Sequence, residues 1–143
     1  MLISTKGRYA LRVMTELASC PEGEYLSLRV ISEKQNISEK YLEAIVSRLL
    51  KASLVEGIRG KNGGYRLAVP ASECTIGSII KAAEGSISAV ECTGIKGDSD
   101  EQICSRADIC LSLPMWKKLN TLIDDYFESI TLSQMIEESK ASL

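Results

Sequence analysis

Three of the five cysteines lie close together in a polar segment. Residues 91–110, ECTGIKGDSDEQICSRADIC, carry Cys92, Cys104 and Cys110 with hardly any large apolar side chain between them. Thiolates are soft ligands that suit iron–sulfur units or zinc, and a polar loop gains order when a metal ties it together. A direct thiol switch is an alternative, because Arg106 follows Cys104 closely and a neighbouring cation favours the reactive thiolate. The third alternative is that these thiols have no sensory role.

The composition narrows the chemistry of this segment. The chain has no histidine, so zinc sites of mixed Cys/His type are excluded, and three cysteines alone make an incomplete structural zinc site. A thiol oxidoreductase is disfavoured, because the sequence has no C-x-x-C pair, no histidine general base and no glycine-rich phosphate loop after a strand. No catalytic residue is predicted, and Cys20 and Cys74 are interpreted as packing residues.

The length of the chain and the absence of targeting signals in the sequence indicate the number of domains and the location to expect. The 143 residues, of which 45% are hydrophobic and 25% charged, predict one compact unit with a core of its own. The N-terminus has no apolar run of signal-peptide length, and no stretch of about 18 apolar residues occurs. We therefore expect a cytoplasmic protein with no membrane partner, in which the odd number of cysteines does not form a disulfide framework.

Three helices and a hairpin are predicted in the N-terminal half. Ser4 caps a first helix that ends before residue 20, and Ser27 and Ser38 each begin another. Two helices joined by a tight turn, the second amphipathic, are typical of a helix-turn-helix. The runs LVEGI and YRLAV flank RGKNGG, where Asn62-Gly63 is the predicted turn pair with positive φ at both positions. This order predicts a winged helix-turn-helix.

Helices also dominate the prediction for the second half. Thr75 caps a further helix, Ser112 with Pro114 marks the start of a long one, and Thr131 with Gln134 forms a capping box for the last. The long helix has a wide apolar face that a two-fold partner would cover. The predicted dimer-interface residues are Met115, Trp116, Leu119, Leu122, Ile123, Tyr126, Phe127 and Ile130. The fold class is therefore mainly α with a small β-hairpin wing and a long C-terminal dimerisation helix.

The charge of the chain is unevenly distributed. Through Arg66 there are 11 Lys and Arg against 7 Asp and Glu, and the remainder has 6 against 12, which indicates a basic face that meets a polyanion. Lys6 and Arg8 lie in the first turns of helix one, where the macrodipole disfavours cations and a bound phosphate would reverse that penalty. Glu43 would be repelled by phosphates unless it accepts a hydrogen bond from cytosine N4.

The predicted wing brings Arg59, Lys61 and Arg66 into eight residues with three glycines. Glycines allow close backbone approach, and an arginine at a hairpin tip suits a narrow minor groove. Placed after a helix-turn-helix, this loop predicts contact with duplex DNA. The full set of predicted DNA contacts is Lys6, Arg8, Ser38, Lys40, Tyr41, Glu43, Arg48, Arg59, Gly60, Lys61, Asn62, Gly63 and Gly64.

Three stretches of the sequence carry a resemblance to a known family. They are ISTKGRYAL near the start, ISEKYLEAIVSRLLKASLVEGIRGKNGGYRLA through the second helix of the helix-turn-helix and the wing, and CLSLPMWKKLNTLIDDYFESITL near the end. Together they resemble the IscR/NsrR/CymR family of bacterial winged-helix transcriptional regulators, the Rrf family. The resemblance implies a homodimer on a palindromic operator, with one helix of each subunit in the major groove. It also implies that Tyr41, Glu43 and Arg59 are base readers.

The same resemblance gives the clustered cysteines a role. Cys92, Cys104 and Cys110 are similar to the three thiolates that hold an iron–sulfur cluster in the cluster-binding members. The eleven residues between the first two are a longer gap than in those members, and Leu113 and Arg8 occupy positions that supply a fourth ligand in some of them. The fourth ligand would instead be a partner residue, a small thiol or one of the acids Asp98, Asp100, Glu101 and Asp108.

We expect two functional parts and weigh two functions. Residues 1–70 are expected to form the DNA-binding domain, and residues 71–143 to hold the sensory cysteine loop and the dimerisation helix. The predicted function is a DNA-binding transcriptional regulator, in the repressor class, whose operator affinity responds to an iron–sulfur cluster or a redox signal. The alternative is a cluster-free regulator of cysteine or sulfur metabolism that acts through a thiol switch or an enzyme partner such as cysteine synthase.

Overall fold

Within the described residues, 3–94 and 104–143, this computed structural model has six α-helices and one β-hairpin. The helices are α1 (Thr5–Ala18), α2 (Leu28–Gln35), α3 (Glu39–Lys51), α4 (Ile76–Glu84), α5 (Leu113–Glu128) and α6 (Leu132–Ser142). The strands are β1 (Val55–Ile58) and β2 (Gly64–Leu67), and 3-10 turns cover Glu91–Thr93 and Ala107–Ile109. The prediction of a mainly helical chain with a hairpin wing is confirmed. None of the described helices combines the length and apolar character needed to cross a membrane.

Polar side chains begin most helices where the sequence predicts. Ser4, Ser27 and Ser38 each accept a hydrogen bond from a backbone N–H of the first turn, at 3.2 to 3.3 Å. Thr75 does the same for α4 at 3.0 Å, and the predicted capping box is present at the start of α6. Each bond satisfies a donor that has no partner inside its helix and contributes about 1 kcal/mol.

Helix α5 begins where Ser112 and Pro114 predict and ends earlier than its apolar pattern predicts. Ser112 occupies the N-cap position without a capping bond from its side chain, and its hydroxyl lies 3.4 Å from the Cys110 sulfur. The helix ends at Glu128, so the prediction that it continues to Ile130 is wrong. The physical reason is a short antiparallel bridge, in which the Ile130 carbonyl accepts a hydrogen bond from the Ile76 N–H at 2.9 Å and draws the chain away from the helix.

One hydrophobic core joins the helix-turn-helix to α4 and the start of α6. Helices α1, α3 and α4 turn their apolar faces toward each other, and Leu132 of α6 fills the same core. Among its fully buried side chains are Met14, Ile31, Leu42, Ile45, Leu49 and Ile79. Burying a side chain of this size stabilises the fold by about 1.5–3 kcal/mol. Cys74 belongs to this core, whereas Cys20 is partly exposed at the end of α1.

The wing has a longer loop than the sequence predicts. Strand pairing joins Val55 to Leu67 and Ile58 to Gly64, so five residues, 59–63, connect the strands. Gly60 has a φ of 115°, while Asn62 is not among the described residues with positive φ. The prediction of Asn62-Gly63 as a two-residue turn is therefore wrong, because a five-residue connection distributes the reversal over more bonds.

The wing is fastened to the segment before α2. Leu26 and Tyr65 exchange backbone hydrogen bonds of 2.8 and 2.9 Å, which adds a third short stretch of chain beside β2. A Cβ at Gly64 would lie 2.5 Å from the Leu26 carbonyl carbon and oxygen, so this close approach requires glycine. Wing and helix-turn-helix are thus held together by backbone contacts.

Replacing Gly64 by alanine should destabilise the fold. The added methyl group would collide with the Leu26 backbone, and we expect a loss of roughly 2 kcal/mol in the free energy of unfolding, measured by denaturant titration. Asn62→Ala, an exposed change in the same loop, is the control and should unfold like the parent protein. Equal unfolding midpoints for the two variants would contradict this account of the Leu26 contact.

Candidate nucleic-acid interface and cysteine segment

The α2–α3 turn orients the second helix of the helix-turn-helix. Asn36 adopts a left-handed conformation with φ 54° and ends α2, and Ile37 is buried immediately after it. The Ser32 hydroxyl donates a 2.6 Å hydrogen bond to the Ile37 carbonyl and fastens the turn. One face of α3 then packs into the core, so its opposite face is left toward solvent.

The predicted contacts on α3 occupy different environments. Lys40 and Glu43 are exposed, and Glu43 forms no side-chain hydrogen bond or ion pair with the part of the chain that the structure describes. Tyr41 is half-buried, with its ring edge-on to Tyr9 at a centroid distance of 5.6 Å. Ser38 uses its hydroxyl as the helix cap. Helix α3 therefore presents a mixed acid and base surface beside a partly fixed tyrosine ring.

Arg48 lies at the far end of the same helix and contacts another helix. Its Nη1 donates a 3.1 Å hydrogen bond to the backbone carbonyl of Ala83, in the last turn of α4. The sequence grouped Arg48 with the DNA contacts because it lies on the outward side of α3. The structure directs its guanidinium to α4.

Exposed cations without a carboxylate partner surround α3. They lie at the start of α1, on α3 and in the wing, and no ion pair links them to an acid among residues 3–94 and 104–143. We call Lys6, Arg8, Lys40, Arg59 and Lys61 the unpaired cations. Arg8 does form a hydrogen bond with a neutral group, since its Nη2 donates to the Thr5 hydroxyl at 3.4 Å.

Arg66 is the wing cation that the structure separates from this group. It pairs with Glu56 across the hairpin, and its guanidinium lies over the Tyr25 ring at 4.6 Å from the centroid. The hydrogen bond that Arg66 donates to the Glu56 carboxylate raises the pKa of Arg66 above its ordinary value. Arg66 therefore stabilises the base of the wing.

Glu84 is a site residue that the sequence analysis missed. Its carboxylate accepts hydrogen bonds from the Ser4 hydroxyl at 2.6 Å and from the Gly7 N–H at 2.9 Å, at the N-terminus of α1. An acid at a helix N-terminus is favoured by the macrodipole. No local sequence signal marks this contact, because Glu84 is 77 to 80 residues away from its two partners.

Of the three clustered cysteines, the described residues bring Cys92 and Cys104 to one depression and leave Cys110 outside it. Cys92 lies in the first 3-10 turn, and Cys92 and Cys104 line one depression of about 610 Å³ with residues 89–91, Ser105 and Arg106. Cys110 follows the second 3-10 turn and does not line that depression. No group of three metal-ligating side chains is assembled within the described ranges. The proposed ligands Asp98, Asp100 and Glu101 lie outside the described residues, and Asp108 belongs to no such group.

Two cysteines have shifted acidities of opposite sign. Hydrogen bonds from the Ser112 hydroxyl, from the backbone N–H groups of Ser112 and Leu113, and the charge of Arg106 lower the pKa of the Cys110 thiol. Burial raises the pKa of Cys74, which is 1% exposed. Cys110 is thus the more reactive of these two thiols, because reactivity follows the thiolate form.

Asn120 of α5 holds the first 3-10 turn in place and was not predicted. Its Oδ1 accepts a 2.6 Å hydrogen bond from the Ala89 N–H, and its Nδ2 donates a 2.9 Å bond to the Thr93 hydroxyl. These two partners lie on either side of Cys92. The side-chain amide therefore links the cysteine segment to α5.

Polar contacts fasten α5 to α4. Lys81 pairs with Asp124 and with Glu128, the latter at 3.0 Å, and Glu128 also accepts a 2.8 Å bond from the Thr75 hydroxyl. The contact with Asp124, followed by that with Glu128, raises the pKa of Lys81. The side chains involved are about half-exposed, so solvent screens each pair and the cluster positions α5 more than it stabilises the fold.

The predicted dimer-interface residues separate into two groups. Met115, Leu119, Leu122 and Tyr126 are exposed on α5, with Trp116 and Ile123 half-buried beside them. Phe127 and Ile130 pack against the core of their own chain. The α4–α5 contacts turn the end of α5 toward the core of its own chain, and the assignment of these last two residues to a subunit interface stays a prediction.

The fold and its outward helix define a winged-helix protein, and comparison with known proteins identifies its family. The family model Rrf2, described as an iron-dependent transcriptional regulator, matches residues 3–138. The chain belongs to the Rrf2 family. It is a transcriptional regulator, and the family is non-enzymatic, so both of these predictions are confirmed.

Among the proteins that the chain is similar to are regulators named IscR and CymR. The chain is 38% identical to the HTH-type transcriptional regulator IscR of Vibrio campbellii over 140 residues, which is 98% of this chain and 80% of that one. It is similar to CymR, the global cysteine regulator of B. subtilis, with 37% identity, a TM-score of 0.74 and coverage of 96% and 98%. For T. potens IscR the identity is 30%, the TM-score 0.75 and the coverage 100% and 92%.

Removing the Asn120 amide should release the turn that carries Cys92. Asn120→Leu leaves the buried Ala89 N–H without its acceptor, and we expect a loss of about 1–3 kcal/mol and faster alkylation of Cys92 in the reduced protein. Peptide mass spectrometry follows the alkylation. Thr121→Val is the control, since the Thr121 hydroxyl bonds within α5 to Lys117. A Cys92 rate equal in both variants would contradict the anchoring role.

Proposed function

We propose that the chain is a homodimeric repressor that places α3 in the major groove and the wing tip in the minor groove of each half of a palindromic operator. The observation that carries this proposal is the set of unpaired cations, which lie at the three places from which a winged helix reaches phosphates and grooves. Within the described residues these cations form no ion pair with an acid, so their positive charge is available to phosphates. A cytoplasmic location follows, because the operator is chromosomal.

The exposed apolar row of α5 supports the dimer. Met115, Leu119, Leu122 and Tyr126 recur at helical spacing and are 56%, 39%, 58% and 63% exposed. A row of this kind is costly to leave in water, and a second copy related by two-fold symmetry is the simplest cover. The symmetry would give two copies of α3 to match the two halves of a palindrome.

Glu43 is proposed to supply base selectivity. An acid on the DNA-facing side of α3 weakens the general attraction to phosphates. It strengthens binding only at a base pair where it accepts a hydrogen bond from cytosine N4. The carboxylate has no competing partner among the described residues, so it is free to do so.

Replacing Glu43 by alanine should relax operator selectivity at one base pair. We expect the discrimination against other bases there to fall by about 1–3 kcal/mol, while binding to random duplex stays equal or becomes tighter. Selection from a randomised operator library, at one stated salt concentration, measures this. Glu73→Ala, which removes an exposed acid before α4, is the control and should leave the selected sequence unchanged. An unaltered selection with Glu43→Ala would refute the base-reading role.

We propose further that Cys92, Cys104 and Cys110 hold an iron–sulfur cluster. The three side chains are of the type that binds such a cluster, because all are soft sulfur donors on one segment. Cys92 and Cys104 line one depression, and hydrogen bonds favour the thiolate form of Cys110. When bound, such a cluster supplies a bond network among the three cysteines that oxidation can break. Asn120 keeps the Cys92 turn on α5, and Lys81 keeps α5 on α4. Order in the cysteine segment would thus influence the spacing of the two α3 helices.

The alternative proposal is a cluster-free regulator of sulfur metabolism. It is favoured by the likeness to the cysteine regulator CymR and by the thiolate-stabilising contacts of Cys110. In that case Cys110 would act as a thiol switch, or an enzyme such as cysteine synthase would bind the regulator.

Anaerobic purification should separate the two proposals. With a cluster, the wild-type protein contains iron and absorbs visible light. Cys104→Ala loses both, and its operator binding no longer responds to oxidation. Cys20→Ala is the control, since Cys20 lies at the end of α1 and should leave the iron content unchanged. A colourless wild-type protein without iron would eliminate the cluster. Co-purification with cysteine synthase would then support the alternative.

A further inference from the structure

The last turn of α4 contacts three other helices through three neighbouring residues. Lys81 pairs with Asp124 and Glu128 of α5. The Ala83 carbonyl accepts the 3.1 Å hydrogen bond from Arg48 of α3, and Glu84 accepts two bonds at the N-terminus of α1. One helical turn therefore connects the proposed dimer helix, the proposed recognition helix and the first helix.

Arg48 is well suited to hold the end of α4. The last four carbonyls of a helix have no partner within it, and a cation there also interacts favourably with the helix dipole. Gly85 N–H satisfies the Lys81 carbonyl at 2.8 Å, and the Arg48 guanidinium satisfies that of Ala83. A hydrogen bond from a charged guanidinium is stronger than one between neutral groups. The contact therefore directs the guanidinium of Arg48, a residue that is otherwise exposed, to α4 and joins the two helices at this point.

We propose that Arg48 is a positioning residue, which holds α3 at a fixed angle on α4, and that it is not a phosphate contact. This inference rests on the proposed operator binding and refines it. The unpaired cations would supply the phosphate contacts, and Arg48 would keep α3 in the orientation that lets its first turns reach the bases. It also makes α4 the joint through which a change at α5 reaches α3.

Salt dependence distinguishes positioning from phosphate contact. Each phosphate contact releases condensed counterions, so its loss lowers the slope of log affinity against log salt by about one. A residue that only orients α3 changes the affinity at every salt concentration and leaves the slope unaltered. Its loss also removes an internal hydrogen bond and destabilises the free protein, whereas removal of a cation that makes no such bond does not.

The experiment compares two cations of the same helix in the full-length protein. Arg48→Met and Lys40→Met are titrated with an operator fragment at several salt concentrations, and their melting temperatures are measured without DNA. For Arg48→Met we expect the parental slope, an affinity weaker by about three- to tenfold and a melting temperature lower by about 2–4 °C. For Lys40→Met we expect a slope reduced by about one and an unchanged melting temperature. Arg48→Gln, which keeps a neutral N–H donor, replaces Arg48→Met if the latter does not fold.

The outcomes separate this inference from the proposed function. A slope reduced by about one in Arg48→Met, or an affinity or melting temperature equal to the parent, overturns the positioning role. If the parent protein itself shows no preference for operator over random duplex, the proposed function fails, and the positioning role fails with it. A parent that prefers its operator leaves the slope of the Arg48 variant as the deciding measurement.

Discussion

The packing of α4 is the constraint on which the placement of the other helices depends. Ile79, Ile80 and Ala83 are buried against α1 and α3, while Lys81 faces α5. A Cβ at Gly77 would meet the Glu128 side chain, so this glycine leaves room for the Glu128 carboxylate beside α4. The orientation of the outward face of α3 is therefore set from inside the chain, by these apolar contacts together with the hydrogen bond from Arg48 to the Ala83 carbonyl.

Internal pairing decides how much charge the surface presents. Glu56 is occupied by Arg66, Glu16 by Lys34 and Gln35, and Glu84 by the start of α1. These acids count against the cations in a formal charge balance, yet their oxygens are directed to neighbouring residues. The unpaired cations lie in the part of the chain through Arg66, which has 11 Lys and Arg against 7 Asp and Glu, so the field at α3 and the wing tip is more positive than a net charge of −2 suggests.

Local signals in the sequence predicted most helices and strands, whereas the contacts between distant residues could not be predicted from it. The caps at Ser4, Ser27 and Ser38 depend on neighbours within three residues, so they could be seen in the sequence. The partners of Glu84 and Asn120 are 77 to 80 and 27 to 31 residues away, and nothing local marks them. The same holds for Arg48, since its outward position on α3 was predictable and its bond to Ala83 was not. The wing turn failed for a different reason, because Asn-Gly predicts a two-residue turn only when the strands extend up to it.

The backbone bridge between Leu26 and Tyr65 has a consequence for the nucleic acid. It joins the hairpin to the entry of α2 and so fixes the base of the wing against the helix-turn-helix. In the proposed operator complex, a wing and α3 connected in this way would follow variations in helical twist or groove width poorly, and the duplex would have to deform for both elements to reach it at once. Base steps that bend easily would then be selected at positions between the two grooves where no side chain makes contact.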